Sequence, residues 1–505
     1  MTRRGPGNEN AQFTAKAADP MNVQARPQPD ADHVPLVVDL DRALLRTDLT
    51  VESLMLLAKS RPARLLTALS WLSGGLARFK HRLAREVTPD IKTLPFDPDL
   101  RRFLGQQKAA GRRLLLTTGA DLQLAEAVAA HTGLFDQVIA SDGTNNLSGR
   151  VKRDRLVAEF GVKGFDYAGN PKHDAQAWAV ARRGISVGAA ALHAERTDDG
   201  AAVEQTFPLQ TGRRAAYGHA LRPSHWIKNI LIFMPLLTAV AGISPIMIAE
   251  GIAAAIAFSL CASSGYILND LLDLPSDRHH PVKKNRPITS GRVSLTAMLA
   301  LVPTLLLAGI MLGAWLNPWL AVLLVFYYAL TLSYSLRLKD VAILDVLVLV
   351  TLYTSRVLGG AIVFGVTVSV WLLTFSIFLF LSLGLVKRYA ELVVMRSVDG
   401  PKAHARGYVL SDRELLASFG AASGYVAGLL LVLFQGGGEG TPGVANMDLA
   451  GAGICLLFIY WISHLWLVAH RGRMTDDPLA FALHDRVSQV LVLLAAAAFA
   501  SRWLA

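Results

Sequence analysis

The chain has 505 residues, a formal net charge of +11 and a 52% hydrophobic composition, with a mean hydropathy of +0.37. That pairing excludes an ordinary soluble enzyme, and insertion into a membrane reconciles the two numbers. Cys261 and Cys455 are the only cysteines, each inside an apolar run, which excludes a disulfide framework and a cysteine metal site.

At about 150 residues per domain the length suggests three domains. The apolar and charged residues nevertheless segregate into two halves, with a boundary near residue 216. Residues 1–33 are rich in Asn, Gln, Pro, Asp and Ala and hold no apolar stretch of signal-peptide length, so they read as a disordered cytoplasmic leader. From Val34, strand and helix patterns alternate, the signal of a doubly wound α/β domain over 34–195. Its predicted strands end in Asp39-Leu40-Asp41, Thr117-Thr118-Gly119, Ser141-Asp142-Gly143 and Gly169-Asn170. In such sheets ligands sit beyond the carboxyl ends of the strands. An insert over about 51–95 sets leucines and Trp71 beside Lys59, Arg61, Arg64, Arg78, Lys80, Arg82 and Arg85. It reads either as a basic amphipathic cap held against anionic lipid or as a cap packed on its own core. Residues 196–215, with Asp, Glu, Gly and Thr, read as a linker.

The order Asp-x-Asp, Thr-Thr-Gly, Lys152, then Gly169-Asn170-Pro171-Lys172-His173-Asp174 resembles the haloacid dehalogenase-like phosphohydrolases. The resemblance implies Asp39 as phosphoryl-accepting nucleophile, Asp41 as general acid/base, Thr118 as phosphate contact, Lys152 as charge stabiliser, and Asp39 with Asp174 as Mg²⁺ ligands. A carboxylate nucleophile needs positive charge beside it before an anionic phosphate can approach, so the set is chemically coherent. Two departures stand against it: Arg42 and Ala43 follow Asp41 where the family usually has glycine and threonine, and Asn170 stands where an acid is common. An inert docking domain is the alternative.

Beyond Lys228, apolar stretches at 229–243, 246–270, 294–314, 318–336, 341–364, 369–386, 414–435, 449–470 and 485–503 predict an all-α polytopic domain over 216–505 with about nine membrane-spanning helices, the first being the shortest. The connections around 271–293, 337–340, 387–413 and 471–486 are rich in charge, and the intervening ones nearly neutral. The positive-inside rule makes the charged set cytoplasmic, with the soluble half also inside a bacterial-type inner membrane. The span interiors offer hardly any ionisable residues, which counts against a carrier.

Asn269-Asp270-Leu271-Leu272-Asp273-Leu274-Pro275-Ser276-Asp277 closes one apolar run beside a basic loop. Asp270, Asp273 and Asp277 at i, i+3 and i+7 share one helical face, although Pro275 distorts it. Hard carboxylate oxygens suit Mg²⁺, which is usually shared with substrate phosphates. The bland reading is a solvated helix end. His279 and His280 read as loop residues, and Asp476, Asp477 and Asp485 as members of a solvated loop, the alternative being that they help close the site.

The stretch Leu221-Arg222-Pro223-Ser224-His225-Trp226-Ile227-Lys228-Asn229, the aspartate run, Lys283-Lys284-Asn285-Arg286-Pro287-Ile288, and Tyr334-Ser335-Leu336-Arg337-Leu338-Lys339 with Asp340 and Asp345 resemble the UbiA-type intramembrane prenyltransferase superfamily. With Lys387-Arg388-Tyr389-Ala390-Glu391, they look most like its decaprenyl-phosphate phosphoribosyltransferase branch. The resemblance implies transfer of 5-phosphoribose from 5-phosphoribosyl 1-diphosphate to a polyprenyl phosphate, with Mg²⁺ on Asp270, Asp273 and Asp277. It further implies phosphate contacts from Lys228, Arg286, Lys339 and Lys387, with Asn269, Tyr334 and Asp345 around them. The fused α/β domain then suggests removal of the 5-phosphate. Partners are these two substrates and the membrane, not nucleic acid, with self-association left open. The alternatives are prenyl transfer from a polyprenyl diphosphate to an aromatic or other acceptor, and a non-enzymatic carrier or scaffold.

Overall fold

The computed structural model describes residues 34–188, 202–208, 213–238, 243–280, 282–367, 369–399, 404–405, 407–436, 449–474 and 477–504; the expected leader at 1–33 lies outside them. The soluble half is built on a six-stranded parallel sheet in the order β3-β2-β1-β4-β5-β6. Its strands are β1 (Leu36–Asp39), β2 (Leu114–Asp121), β3 (Gln137–Ser141), β4 (Asp166–Gly169), β5 (Arg183–Val187) and β6 (Ala202–Phe207). Between them run α1 (Leu49–Ser60), α2 (Arg64–Ser70), α3 (Leu76–Glu86), α4 (Pro98–Ala109), α5 (Leu122–Thr132), α6 (Arg150–Phe160) and α7 (Ala175–Val180).

A parallel sheet covered on both faces requires apolar residues at successive positions. Leu36 and Val38 enter one core with Leu114 and Leu116, while Val37 and Leu115 enter the opposite one beside Trp178. Strand order reverses beside β1, so Asp39 and Asp41 stand at the crevice where such sheets hold ligands.

β6 corrects one expectation, because it lies inside the presumed linker 196–215. Its composition is polar because an edge strand exposes one side, yet Val203 packs into the core and Phe207 meets Phe103 with ring centroids 5.5 Å apart. The α/β unit therefore reaches at least Phe207.

The second half comprises α8 (Arg213–Ala220), a 3-10 helix over Pro223–Thr238, α9 (Pro245–Leu272), α10 (Leu274–His279), α11 (Leu295–Leu316), α12 (Pro318–Leu336), α13 (Leu344–Phe364), α14 (Val370–Asp399), a small hairpin of β7 (His404–Ala405) and β8 (Tyr408–Val409), α15 (Arg413–Gly436), α16 (Leu449–His470), α17 (Pro478–His484) and α18 (Arg486–Leu504). Ser244, Ser294 and Asn317 cap α9, α11 and α12 with side-chain oxygens, and Pro follows directly at α9 and α12. Among the described residues seven helices are long and apolar enough to cross a membrane, or eight if α17 and α18, bent by 83°, form one broken span. The expected nine are thus not reached. The presumed first span is the 3-10 segment of 16 residues, which at about 2 Å per residue still covers roughly 30 Å.

The two halves share one hydrophobic core. Val51 and Met55 of α1 pack with Ile267, Leu271, Leu274, Ile288 and Met298. Polar contacts reinforce it: Arg278 donates to Glu52 through both terminal nitrogens, Arg42 to Thr296 at 2.9 Å, and Lys59 to Asp273 at 3.0 Å. The insert over 51–95 is therefore not simply a lipid-facing cap, although Leu66, Leu69 and Leu72 remain exposed and Arg61 and Arg64 are spent on Glu86.

Gly291 lies against Arg46 so closely that a Cβ would stand 2.6 Å from both its Cβ and its carbonyl oxygen, and its φ is +71°. A Gly291→Val variant is expected to lose about 1–3 kcal/mol by overpacking, seen as a lower melting midpoint and faster limited proteolysis between the halves. A second outcome concerns acid. Burial would raise the Asp273 carboxyl, but hydrogen bonds and charge from Lys339 and Lys59 outweigh it and hold it below its ordinary value of 3.8. With the folded value depressed, the stabilisation is complete above the unfolded value and is lost as pH falls through the folded one. Asp273→Asn should therefore melt below wild type at pH 7, and the gap should close below about pH 4.

Candidate functional site

α9 ends where Pro275 forbids its continuation; the Asp273 N–H closes the last turn on the Asn269 carbonyl at 2.9 Å, and α10 starts at Leu274. The kink divides the three aspartates. Asp270 accepts hydrogen bonds from Arg222 and from Arg286 Nη1 at 3.1 Å, and that same nitrogen donates to Asp277 at 2.7 Å. Lys283 stands 3.8 Å from Asp277. Asp273 points elsewhere, between Lys339 at 2.7 Å and Lys59 at 3.0 Å. The expected cluster of three carboxylates is not assembled, and among the described residues no group of three or more His, Cys, Asp or Glu is arranged to hold a metal. Magnesium shared with substrate phosphates needs only one or two protein carboxylates. Asp270 and Asp277, both within reach of a single positive atom, fit that demand; Asp273, held by two ammonium groups, does not. Asn269 is half-buried at the edge of this cluster.

A second cluster faces the same end of the bundle. Lys228 donates to Asp477 at 2.8 Å and to the Tyr353 hydroxyl at 2.9 Å, and Lys387 donates to Asp477 at 3.1 Å. Although burial opposes it, Lys387 and Lys228 hold the Asp477 carboxyl well below the carboxylate range. Asp477 was expected in a solvated loop. It instead caps α17, directly before Pro478, a signal readable in Asp-Asp-Pro. Asp476 lies outside the described residues, and Asp485 bonds His464 and the start of α18.

Tyr334 and Asp345 do come together, but through Arg388, which donates to both and to Glu391. Asp345 is wholly buried and also accepts from the Tyr408 hydroxyl, so no face of it is open to a ligand. Its place is structural support for the connections around 340 and 408. The residue the sequence reading missed is Arg356, 3% exposed in the middle of α13. It donates to Asn229 at 2.8 Å and to Tyr327 at 3.0 Å, and its guanidinium lies against the Tyr327, Phe258 and Tyr353 rings. A lone arginine within an apolar stretch was the available signal.

In the soluble half the expected residues converge. Lys152 donates to Asp39 at 2.6 Å, to Asp174 at 3.1 Å and to the Tyr167 hydroxyl at 3.2 Å. Thr118 donates to Asp41 at 2.8 Å, and the Leu49 N–H donates to its other oxygen. Burial raises Asp39 to about 8 against the pull of Lys152, and raises Asp41 to about 6 with help from the charge of Asp48. A cation shared by Asp39 and Asp174 would favour the ionised form of Asp39, which burial alone opposes. Asp174 Oδ2 is buried without a partner, which fits a cation between Asp174 and Asp39. Arg42 adopts φ +61°, so the left-handed turn natural to glycine survives the arginine at some strain. Asn170 shapes the following turn, its carbonyl accepting from the His173 and Asp174 N–H groups. These carboxylates line a cleft of about 330 Å³, over which α3 places Lys80. Lys80 reaches the Gly119 carbonyl at 2.6 Å, as the reading of the insert as a cap packed on the domain's own core expects.

Comparison with known proteins supplies the lineage. The model of the UbiA prenyltransferase family matches residues 229–484. A Sinorhizobium fredii protein, "Uncharacterized protein y4nM", is 32% identical over 477 residues, covering 92% of this chain and 90% of its own, so the likeness runs through both halves. "Nodulation protein NoeC" of Azorhizobium caulinodans is 35% identical over 278 residues, 55% of this chain and 90% of its own. The decaprenyl-phosphate phosphoribosyltransferase of Mycobacterium tuberculosis is 36% identical over 286 residues, 54% of this chain and 89% of its own. A UbiA homologue from Archaeoglobus fulgidus, solved with DMAPP and Mg²⁺, is 13% identical with a TM-score of 0.44, covering 56% of this chain and 99% of that one. The chain is thus a member of the UbiA prenyltransferase family, carrying a parallel-sheet α/β domain ahead of its membrane helices.

Proposed function

We propose that the membrane half transfers 5-phosphoribose from 5-phosphoribosyl 1-diphosphate to a polyprenyl phosphate, and that the soluble half then hydrolyses the 5-phosphate. The observation that carries this reading is the surplus of positive charge at one end of the bundle. Among the described residues Arg222, Arg286, Lys283, Lys59, Lys339, Lys228 and Lys387 are ion-paired to Asp270, Asp277, Asp273 and Asp477, with Asp340 and Glu391 close enough to act on Lys339 and Lys387. Two phosphorylated substrates bring the anions such a site needs, whereas an aromatic acceptor brings none. The mycobacterial relative named for this transfer supports the same choice. Gathering of the charged connections on one face supports a cytoplasmic site in the inner membrane, with the soluble half on that side.

In the transfer, an ionised oxygen of the polyprenyl phosphate attacks the anomeric carbon of ribose. The bond from that carbon to the diphosphate oxygen breaks, and its electron pair leaves with diphosphate. The nucleophile arrives already anionic, so no general base is required. Arg222 and Arg286 are placed to exchange their carboxylate partners for diphosphate oxygens. Lys228 and Lys387, oriented by Asp477 and Tyr353, face the acceptor phosphate, and positioning of the two reactants supplies most of the acceleration. Magnesium, held by Asp270 and Asp277 in one site and by Asp39 and Asp174 in the other, would supply charge neutralisation for the phosphate groups.

In the soluble half the Asp39 carboxylate attacks phosphorus while Asp41 protonates the departing 5-hydroxyl. Lys152 balances the charge of both aspartates it touches. Asp41 then takes a proton from the water that releases phosphate from Asp39.

Purified full-length protein in lipid nanodiscs, given Mg²⁺, 5-phosphoribosyl 1-diphosphate and polyprenyl phosphate, is expected to yield polyprenyl-phosphoryl ribose by mass spectrometry. Asp270→Asn should slow formation of the lipid-linked sugar by about 10²–10³-fold. Asp39→Asn should leave that step intact but stop at the 5-phosphorylated lipid and abolish release of inorganic phosphate. Turnover of a polyprenyl diphosphate in preference to the sugar diphosphate would refute the assignment of donor.

A further inference from the structure

We propose that Lys59, from the soluble half, is a diphosphate-binding residue of the membrane transferase site. The inference rests on the proposed reaction only for the identity of the donor. α1 begins at the soluble cleft, with Asp48 as its N-cap, and its last turn carries Lys59 across the domain boundary. There Nζ donates to Asp273 Oδ1 at 3.0 Å and to the Ser335 carbonyl at 3.3 Å. Lys339 Nζ donates to the other oxygen of the same carboxylate at 2.7 Å. One carboxylate thus gathers two ammonium groups, one from each half, with Asp270, Asp277 and their guanidinium partners on the preceding and following turns.

Two cations share this one acid, and among the described residues no second acid is bonded to either lysine, Asp340 acting on Lys339 through its charge alone. Such a pair is suited to the non-bridging oxygens of a diphosphate, whose negative charges lie a few ångströms apart. Lys59 is also not a loosely tethered surface lysine. Its helix is fixed on both flanks, by Val51 and Met55 in the shared core and by the Glu52–Arg278 pair, in which both side chains are under 8% exposed. Were Lys59 only a domain fastener, that buried pair and the apolar contact would already serve. Its ammonium instead extends past them to an aspartate of the motif that marks the transferase site. Asp273 accordingly acts as a positioning residue, orienting Lys59 and Lys339 rather than holding metal.

The test uses the full chain in nanodiscs and magnesium pyrophosphate as the probe, which reports on the diphosphate pocket whatever the donor carries. Lys59→Met is expected to weaken pyrophosphate binding, measured calorimetrically, by about 10-fold, the order of one charge-assisted hydrogen bond. Lys59→Arg should restore it to within about threefold. In turnover, Lys59→Met should raise KM for the diphosphate substrate by a similar factor and leave KM for polyprenyl phosphate unchanged. Unaltered pyrophosphate affinity in Lys59→Met overturns the inference. So does a loss shared equally by both substrates and accompanied by a lower melting midpoint, because that pattern marks a domain fastener. Should the wild type bind pyrophosphate through Lys59 but use a lipid diphosphate as donor, the proposed reaction fails and this residue assignment stands.

Discussion

Pairing of charge at the boundary between bilayer and water governs the membrane half. An isolated carboxylate or ammonium there is costly, so each is kept only in company with its opposite. Asp270 and Asp277 are held by Arg222 and Arg286, Asp477 by Lys228 and Lys387, and Asp345 by Arg388. These links join α9 to the loop before α11, the 3-10 segment to α17, and α13 to α14. The scaffold that keeps the protein folded is thus the same set of charges that a phosphorylated substrate can redistribute. Arg356 sits behind it as a fixed cation, walled by aromatic rings and tied to Asn229, and it keeps the 3-10 segment against α13.

The soluble half solves the same problem with less water-free volume. Lys152 stands between Asp39 and Asp174, and burial raises Asp39 despite that contact. The positive φ at Arg42 shows how the fold tolerates an unusual residue. The backbone keeps the turn that brings Asp41 under Thr118, and the long side chain is turned outward to Thr296 of the other half.

Much of this was legible in the sequence because its signals are local. Apolar runs ending in Asp, Thr or Gly marked β1, β2 and β4, and the resemblance to the phosphohydrolases pointed to Lys152 and Asp174, which meet at the same sheet end. The long apolar stretches likewise marked helices from α9 onward. What escaped was set by contacts distant in sequence. Composition left Lys59 and Lys80 open between a lipid-facing cap and one packed on its own core, whereas one meets an aspartate 214 positions away and the other a carbonyl 39 away. Asp477 passed for a solvated loop residue because its partner Lys228 is 249 positions earlier. β6 was hidden by edge-strand polarity, and the division of Asp273 from Asp270 and Asp277 follows from a proline kink whose direction the helical wheel does not encode.

α1 has a metric consequence. Thr50 near its start lines the cleft of Asp39 and Asp41, and Lys59 near its end touches Asp273 of the aspartate run. Nine residues of helix at about 1.5 Å each set the two ends roughly 14 Å apart. One stiff rod therefore bridges the two acidic centres, so any shift of the helix moves both of its ends together.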